Sequence, residues 1–142
     1  MDAALERMLN LLLESERAGV VVLDMLAREV THEEFRMLLL DAKAQEERHE
    51  SELERLIRES GGSPSAGVGP FAAKVAAIGS PRGRIAMLMR GQEWVARKVE
   101  ETLALAPSAH PIHTFLQKLA NRHRHEVEWE RAEMIRLMNA IP

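Results

Sequence analysis

The stretch Phe35-Arg36-Met37-Leu38-Leu39-Leu40-Asp41-Ala42-Lys43-Ala44-Gln45-Glu46-Glu47-Arg48-His49-Glu50-Ser51-Glu52-Leu53-Glu54-Arg55-Leu56 decides the fold. Phe35, Leu39, Ala42, Glu46, His49, Leu53 and Leu56 follow one another at three- and four-residue steps. That period belongs to a helix with one buried face. The face is apolar except at its middle, where Glu46 and His49 stand one turn apart.

Outward from this stretch, a helix is expected over 33–59. Thr31 and Glu34 form a capping box at its start, and Gly61-Gly62-Ser63-Pro64 ends it. A first helix is expected over 3–28, with Leu9, Leu12, Glu16, Val20 and Leu23 on one face. The Gly-, Ser-, Pro- and Ala-rich stretch 61–79 reads as a long crossover with a short helix near Phe71 to Ile78. Ser80-Pro81 opens a third helix over 81–106, because serine caps well and proline suits the first helical position. Its apolar face is Ile85, Leu88, Met89, Val95, Val99 and Leu103. Pro107 stops it, and His110-Pro111 begins a fourth helix over 111–139. Two short links and one long crossover predict two antiparallel hairpins in a single all-α four-helix bundle spanning 1–142.

Composition agrees with this reading and narrows it. The chain of 142 residues is 46% apolar and 29% charged, enough for one core and unlike a disordered chain. Its longest apolar runs fall far short of the roughly 18 residues that a membrane helix needs. No secretory leader is evident, so cytoplasm is the expected compartment. A net charge of −3 argues against nucleic acid as a partner. With no cysteine, thiolate zinc sites and rubredoxin-type iron are excluded, and with no tyrosine there is no tyrosyl radical.

The polar breaks in the four stripes share a spacing. Glu16 precedes Glu46 by 30 residues and His49 by 33; Glu93 precedes His123 by 30 and Glu126 by 33. The two hairpins therefore superimpose at an offset of 77, which also pairs Leu12 with Met89, Phe35 with Ile112 and Leu39 with Leu116. At a rise of about 1.5 Å per residue, Glu16 lies roughly 18 Å before its turn and Glu46 and His49 roughly 21–25 Å after it. The four carboxylates and two imidazoles are thus expected in one layer. Gln92 competes with Glu93 for the inner position, and His125 with His123. Unpaired buried carboxylates are costly, whereas two divalent cations would balance four of them. Mixed imidazole and carboxylate donors suit iron or manganese, with zinc also possible.

With Glu16, Glu46-x-x-His49, Glu93 and His123-x-x-Glu126, the chain resembles the ferritin-like superfamily of rubrerythrin-like di-iron carboxylate bundles, and within it the small bacterial members of undefined function. The resemblance covers most of the chain. It implies Glu46 and Glu126 as bridging ligands, Glu16 and Glu93 as terminal carboxylates, and His49 and His123 as nitrogen ligands to two Fe ions. It also implies oxidoreductase or ferroxidase-like activity on O2 or peroxide. The fourth-helix motif is inverted relative to the second, and there is no fifth helix of the kind storage cages use. The alternative expectation is a metal-free bundle serving as a dimerisation or partner-binding module. A homodimer is expected under either reading.

Overall fold

The computed structural model describes residues 1–141, and among them the chain is all-helical with no strand. Helix α1 spans Ala3–Glu29 and α2 spans Glu33–Glu59. A short α3 occupies Phe71–Ala76 within the crossover, and α4 covers Pro81–Leu105. The last helical rod has three parts: α5 over Pro111–Arg122, a π turn over His123–Val127, and α6 over Glu128–Met138. No helix among the described residues is long and apolar enough to cross a membrane.

The helix starts follow from local side chains. Asp2 caps α1 by accepting from the Ala4 and Leu5 amides, at 2.8 and 3.1 Å. Ser80 accepts from Gly83 N with Pro81 in the first turn, as expected. His110 Nδ1 accepts from Ile112 N. The start of α2 differs from the expected Thr31–Glu34 box: His32 is the cap, and its Nδ1 accepts from Phe35 N at 3.3 Å. Moving the cap one residue on leaves Glu33 and Glu34 together in the first turn, where carboxylates favour the positive end of the helix. At the far end Gly61 takes a φ of +86°, which suits glycine, while the amide of Gly62 returns to Ile57 O.

Ion pairs between helices give their directions. Arg17 meets Glu50 and Asp24 meets Lys43, so seven residues forward on α1 is seven back on α2. Glu93 meets Arg131 and Glu100 meets Arg124 in the same way between α4 and the last rod. Gln45 meets Arg122, and Glu34 meets Arg136, so α2 and the last rod also run opposite. The crossover descends along α1: the Ser63 amide donates to Glu6, the Ser65 amide donates to Asn10, and Arg17 donates to the Ser65 and Gly67 carbonyls.

The core is divided. One apolar cluster holds Leu9 and Leu13 of α1, Leu53 and Ile57 of α2, Val99 of α4, and Phe115 and Leu116 of α5. The other holds Val22 and Leu26 of α1, Phe35 and Leu39 of α2, Ile85 of α4 and Met134 of α6. On every long helix a polar segment separates the two. The segments of α1, α2 and the last rod meet in one layer, where the charge of Arg122 acts on Glu16, Glu46 and His49.

Candidate functional site

The layer is built from α1 and α2 first. Glu16 is only 6% exposed. One turn on, Gly19 is buried, and the Glu46 carboxylate of α2 lies against it. Glu46 is half-buried as a residue, but its Oε2 is sealed from solvent and has no hydrogen-bond partner in the protein. The Gln92 Oε1 of α4 and the His123 Nδ1 of the π turn are likewise buried and unpartnered. Such groups are rare in folded proteins, since each forfeits its hydration. His49 completes the α2 contribution; its ring meets Phe115 edge-on, with centroids 6.5 Å apart.

Arg122 brings a positive charge into the layer, with a side chain only 11% exposed. Its Nε donates to Gln45 Oε1 at 2.6 Å, and its Nη2 donates to Glu130 Oε1 at 3.3 Å. Glu130, on α6, is itself 6% exposed. Gln45 and Arg122 are also related by the 77-residue offset between the hairpins, so this bond joins equivalent positions of the two halves.

Electrostatics follows burial. Desolvation pushes the Glu16 carboxyl from 4.5 up to about 7; Arg122 lowers it and Glu50 raises it. Glu46 is raised well above 4.5 by burial and then by the Glu16 charge, with Arg122 opposing and Glu130 adding. Glu130 is raised by burial, against the pull of Arg122. Burial lowers His49 and His123 to about 4, with Arg122 the next cause for each. Both imidazoles are therefore neutral at pH 7, the form that donates a lone pair to a metal.

The sequence-predicted residues divide into two groups. Glu16, Glu46, His49 and His123 face the layer. Glu93 and Glu126 do not. Glu93 pairs with Arg131, both side chains being 37% exposed, while Gln92 points inward in its place. Glu126 has a side chain 60% exposed and lies 3.3 Å from Arg122. The π turn explains this. Its hydrogen bonds reach one residue further than those of an α-helix, so each turn holds more than 3.6 residues. Three residues beyond His123 thus falls further short of a full turn, toward solvent, and Val127 takes the inner position at 7% exposure. His125 is exposed. Arg122, Gln45 and Glu130 lay outside the set expected from the stripes. The signal for Glu130 was a glutamate standing 77 residues after the buried Leu53.

Among the described residues no three His, Asp or Glu side chains are arranged to hold a metal ion in common. A surface cleft lined by Gln45, His49, Phe115, Lys118, Arg122 and His125 reaches the layer from solvent.

The fold and site define an all-helical protein with a buried Glu/His/Arg layer dividing its core. The chain belongs to the family described as Domain of unknown function (DUF6306), whose model matches residues 3–133 and so spans the layer up to Glu130. Comparison with curated proteins finds no match.

Proposed function

We propose that this chain is a ferritin-like four-helix bundle, two antiparallel hairpins joined by a crossover, whose mid-bundle layer binds a divalent transition metal for chemistry on O2 or peroxide. The observation that carries the reading is the pair of sealed, unpartnered donors, Glu46 Oε2 and His123 Nδ1, in a layer that also buries Glu16. The donor set fits such a metal chemically: two carboxylates and two neutral imidazoles suit iron, manganese or zinc. Bringing them onto one ion takes rotation of the glutamate side chains. Iron or manganese would supply one-electron oxidation chemistry there.

The protein's own part is to hold those donors dry and in place. Glu16 and Glu46 would supply charge, and His123 and His49 lone pairs. Apolar clusters pack on either side of the layer, and a cleft beside His49 reaches it from solvent. Removal of protons from buried Glu16 and Glu46 accompanies binding, because ligand carboxylates must be ionised.

Arg122 favours a second reading, in which the layer is metal-free and the buried guanidinium is the counter-charge to its carboxylates, setting helix register in a dimerisation or partner-binding bundle. One experiment separates the two. Chelator-stripped protein is melted with Fe(II) under anaerobic conditions, with Mn(II) and with Zn(II). A ligand at 100 times its Kd adds about 2.7 kcal/mol to stability. The metal reading expects a raised Tm that Glu46→Gln abolishes. An unchanged Tm with all three ions overturns it and supports the second.

A further inference from the structure

From the same layer, and resting on the metal-binding reading above, we infer that the bundle takes one divalent cation per chain, not two, with the Arg122 guanidinium standing where a second cation's charge would be needed. Charge counting leads there. Three carboxylates point into the layer: Glu16 and Glu130, each 6% exposed, and Glu46 with its sealed Oε2. The two other glutamates of the expected six-residue set lie outside the layer. Glu93 is paired with Arg131, and Glu126, 60% exposed, meets Arg122 from the solvent side, where water screens its charge. Against the three, one guanidinium is buried among them. Arg122 is bonded to Glu130 and to Gln45, the residue before Glu46. Arg17, the neighbour of Glu16, does not serve the layer, because its guanidinium is committed to Glu50, Glu54 and the crossover carbonyls of Ser65 and Gly67.

Two negative charges remain, on Glu16 and Glu46, and one divalent cation cancels them. A second would leave the layer with a net charge of about two units in a medium where unbalanced charge is costly. It would also have to sit beside a guanidinium held by Glu130. The placement of donors agrees with a single ion. Glu46 Oε2 and His123 Nδ1 are unpartnered, whereas Glu130 is already occupied by Arg122. Glu16, Glu46 and His123 are therefore the assigned ligands once the glutamate side chains rotate, with His49 completing the shell.

The test is a count. Chelator-stripped full-length chain is dialysed against Mn(II), bound metal is measured per chain, and the bound ion is examined by electron paramagnetic resonance. The expected result is one Mn per chain with the spectrum of an isolated ion, lost in Glu46→Gln. Two Mn per chain with an exchange-coupled spectrum would overturn the single-ion inference and leave metal binding standing. No bound Mn, or a count indifferent to Glu46→Gln, overturns both. Arg122→Gln supplies a second measurement: with its repelling charge removed, Mn(II) should bind at least tenfold tighter. An unchanged or weaker Kd in a folded Arg122→Gln variant overturns the role given to Arg122. If that variant fails to fold, the wild-type count decides alone.

Discussion

Gly19 of α1 and Glu46 of α2 share one space: a Cβ on Gly19 would stand 2.8 Å from the Glu46 Cδ and closer still to its Oε2. Glycine inside a helix ordinarily costs about 0.5–1 kcal/mol relative to alanine. Here it lets a carboxylate lie flat against the facing helix. Gly19→Ala therefore has separable effects. Helix propensity improves, and the end of a flexible glutamate side chain can swing aside at little cost, so the urea midpoint should stay level or rise. The Glu46 carboxylate, however, leaves its position. Mn(II) affinity should fall at least tenfold while the far-ultraviolet circular dichroism is unchanged. Full affinity in Gly19→Ala would show that the cation does not use Glu46 in its place against Gly19.

The buried acids and imidazoles predict an unusual pH profile for the stripped protein. Glu16 is raised from 4.5 to about 7 and Glu46 is also raised well above 4.5, so the folded state binds more protons than the unfolded state above about pH 4.5. On their own they make stability fall as pH rises. His49 and His123 act oppositely. Lowered from 6.5 to about 4, they remain neutral in the fold where the unfolded chain is protonated, so stability rises with pH up to about 6.5. Between about pH 4.5 and 6.5 the opposing slopes offset. Above that only the glutamates titrate, and stability should decline through neutrality. For Glu16 alone the whole loss, beginning near pH 4.5, is on the order of 3 kcal/mol, of which roughly 1 kcal/mol or less falls above pH 6.5. Urea melts from pH 5 to 8.5 give the curve, and Glu16→Gln should flatten its upper half. A steady rise in stability from pH 6.5 to 8 would show that these carboxyls are not desolvated.

Much of this was legible in the chain because helix periodicity is a strong signal. Glu16 and Glu46 interrupt stripes of leucine, and the offset of 77 between hairpins put His123 opposite Glu46. Ser80-Pro81 and His110-Pro111 marked two helix starts where they are found. The Glu126 reading went astray because it extrapolated a uniform 3.6-residue turn, whereas Glu93 lost the inner place to its neighbour Gln92 within a regular helix. The π turn at His123–Val127 rotates Glu126 outward, and no residue type in His-Arg-His-Glu-Val announces it. Arg122 was hidden for another reason. A long arginine stem can begin beside a stripe and still carry its head inward, which residue spacing alone does not encode.

The outward residues should behave as ordinary surface charges. Glu93→Ala breaks its pair with Arg131, and Glu126→Ala removes an exposed partner of Arg122. Exposed pairs of this kind contribute about 0–1 kcal/mol. Each variant should therefore lose no more than about 1 kcal/mol in urea and retain wild-type Mn(II) binding. Loss of metal in either variant would show that the carboxylate moves into the layer on loading, and the ligand set would have to grow to include it.

Arg122 and Glu130 should show strong energetic coupling. Removing one partner of a buried pair leaves the other charge uncompensated and costs about 3–5 kcal/mol, whereas replacing both with apolar residues is often neutral or better. Arg122→Met alone strands Glu130, and also removes the charge that lowers the pKa of Glu16 and Glu46. Glu130→Leu alone leaves the guanidinium with Gln45 and the solvent-facing Glu126. Leucine at 130 is compatible with the fold because Leu53 fills the equivalent position in the first half, where it is fully buried. The double variant Arg122→Met with Glu130→Leu should recover at least half of what Arg122→Met loses, giving an interaction energy of about 2 kcal/mol or more in a double-mutant cycle. Urea denaturation of the four proteins at pH 7 measures it. Additive losses would mean that the guanidinium is held by the layer as a whole, through Gln45 and the charges of Glu16 and Glu46, and not by Glu130.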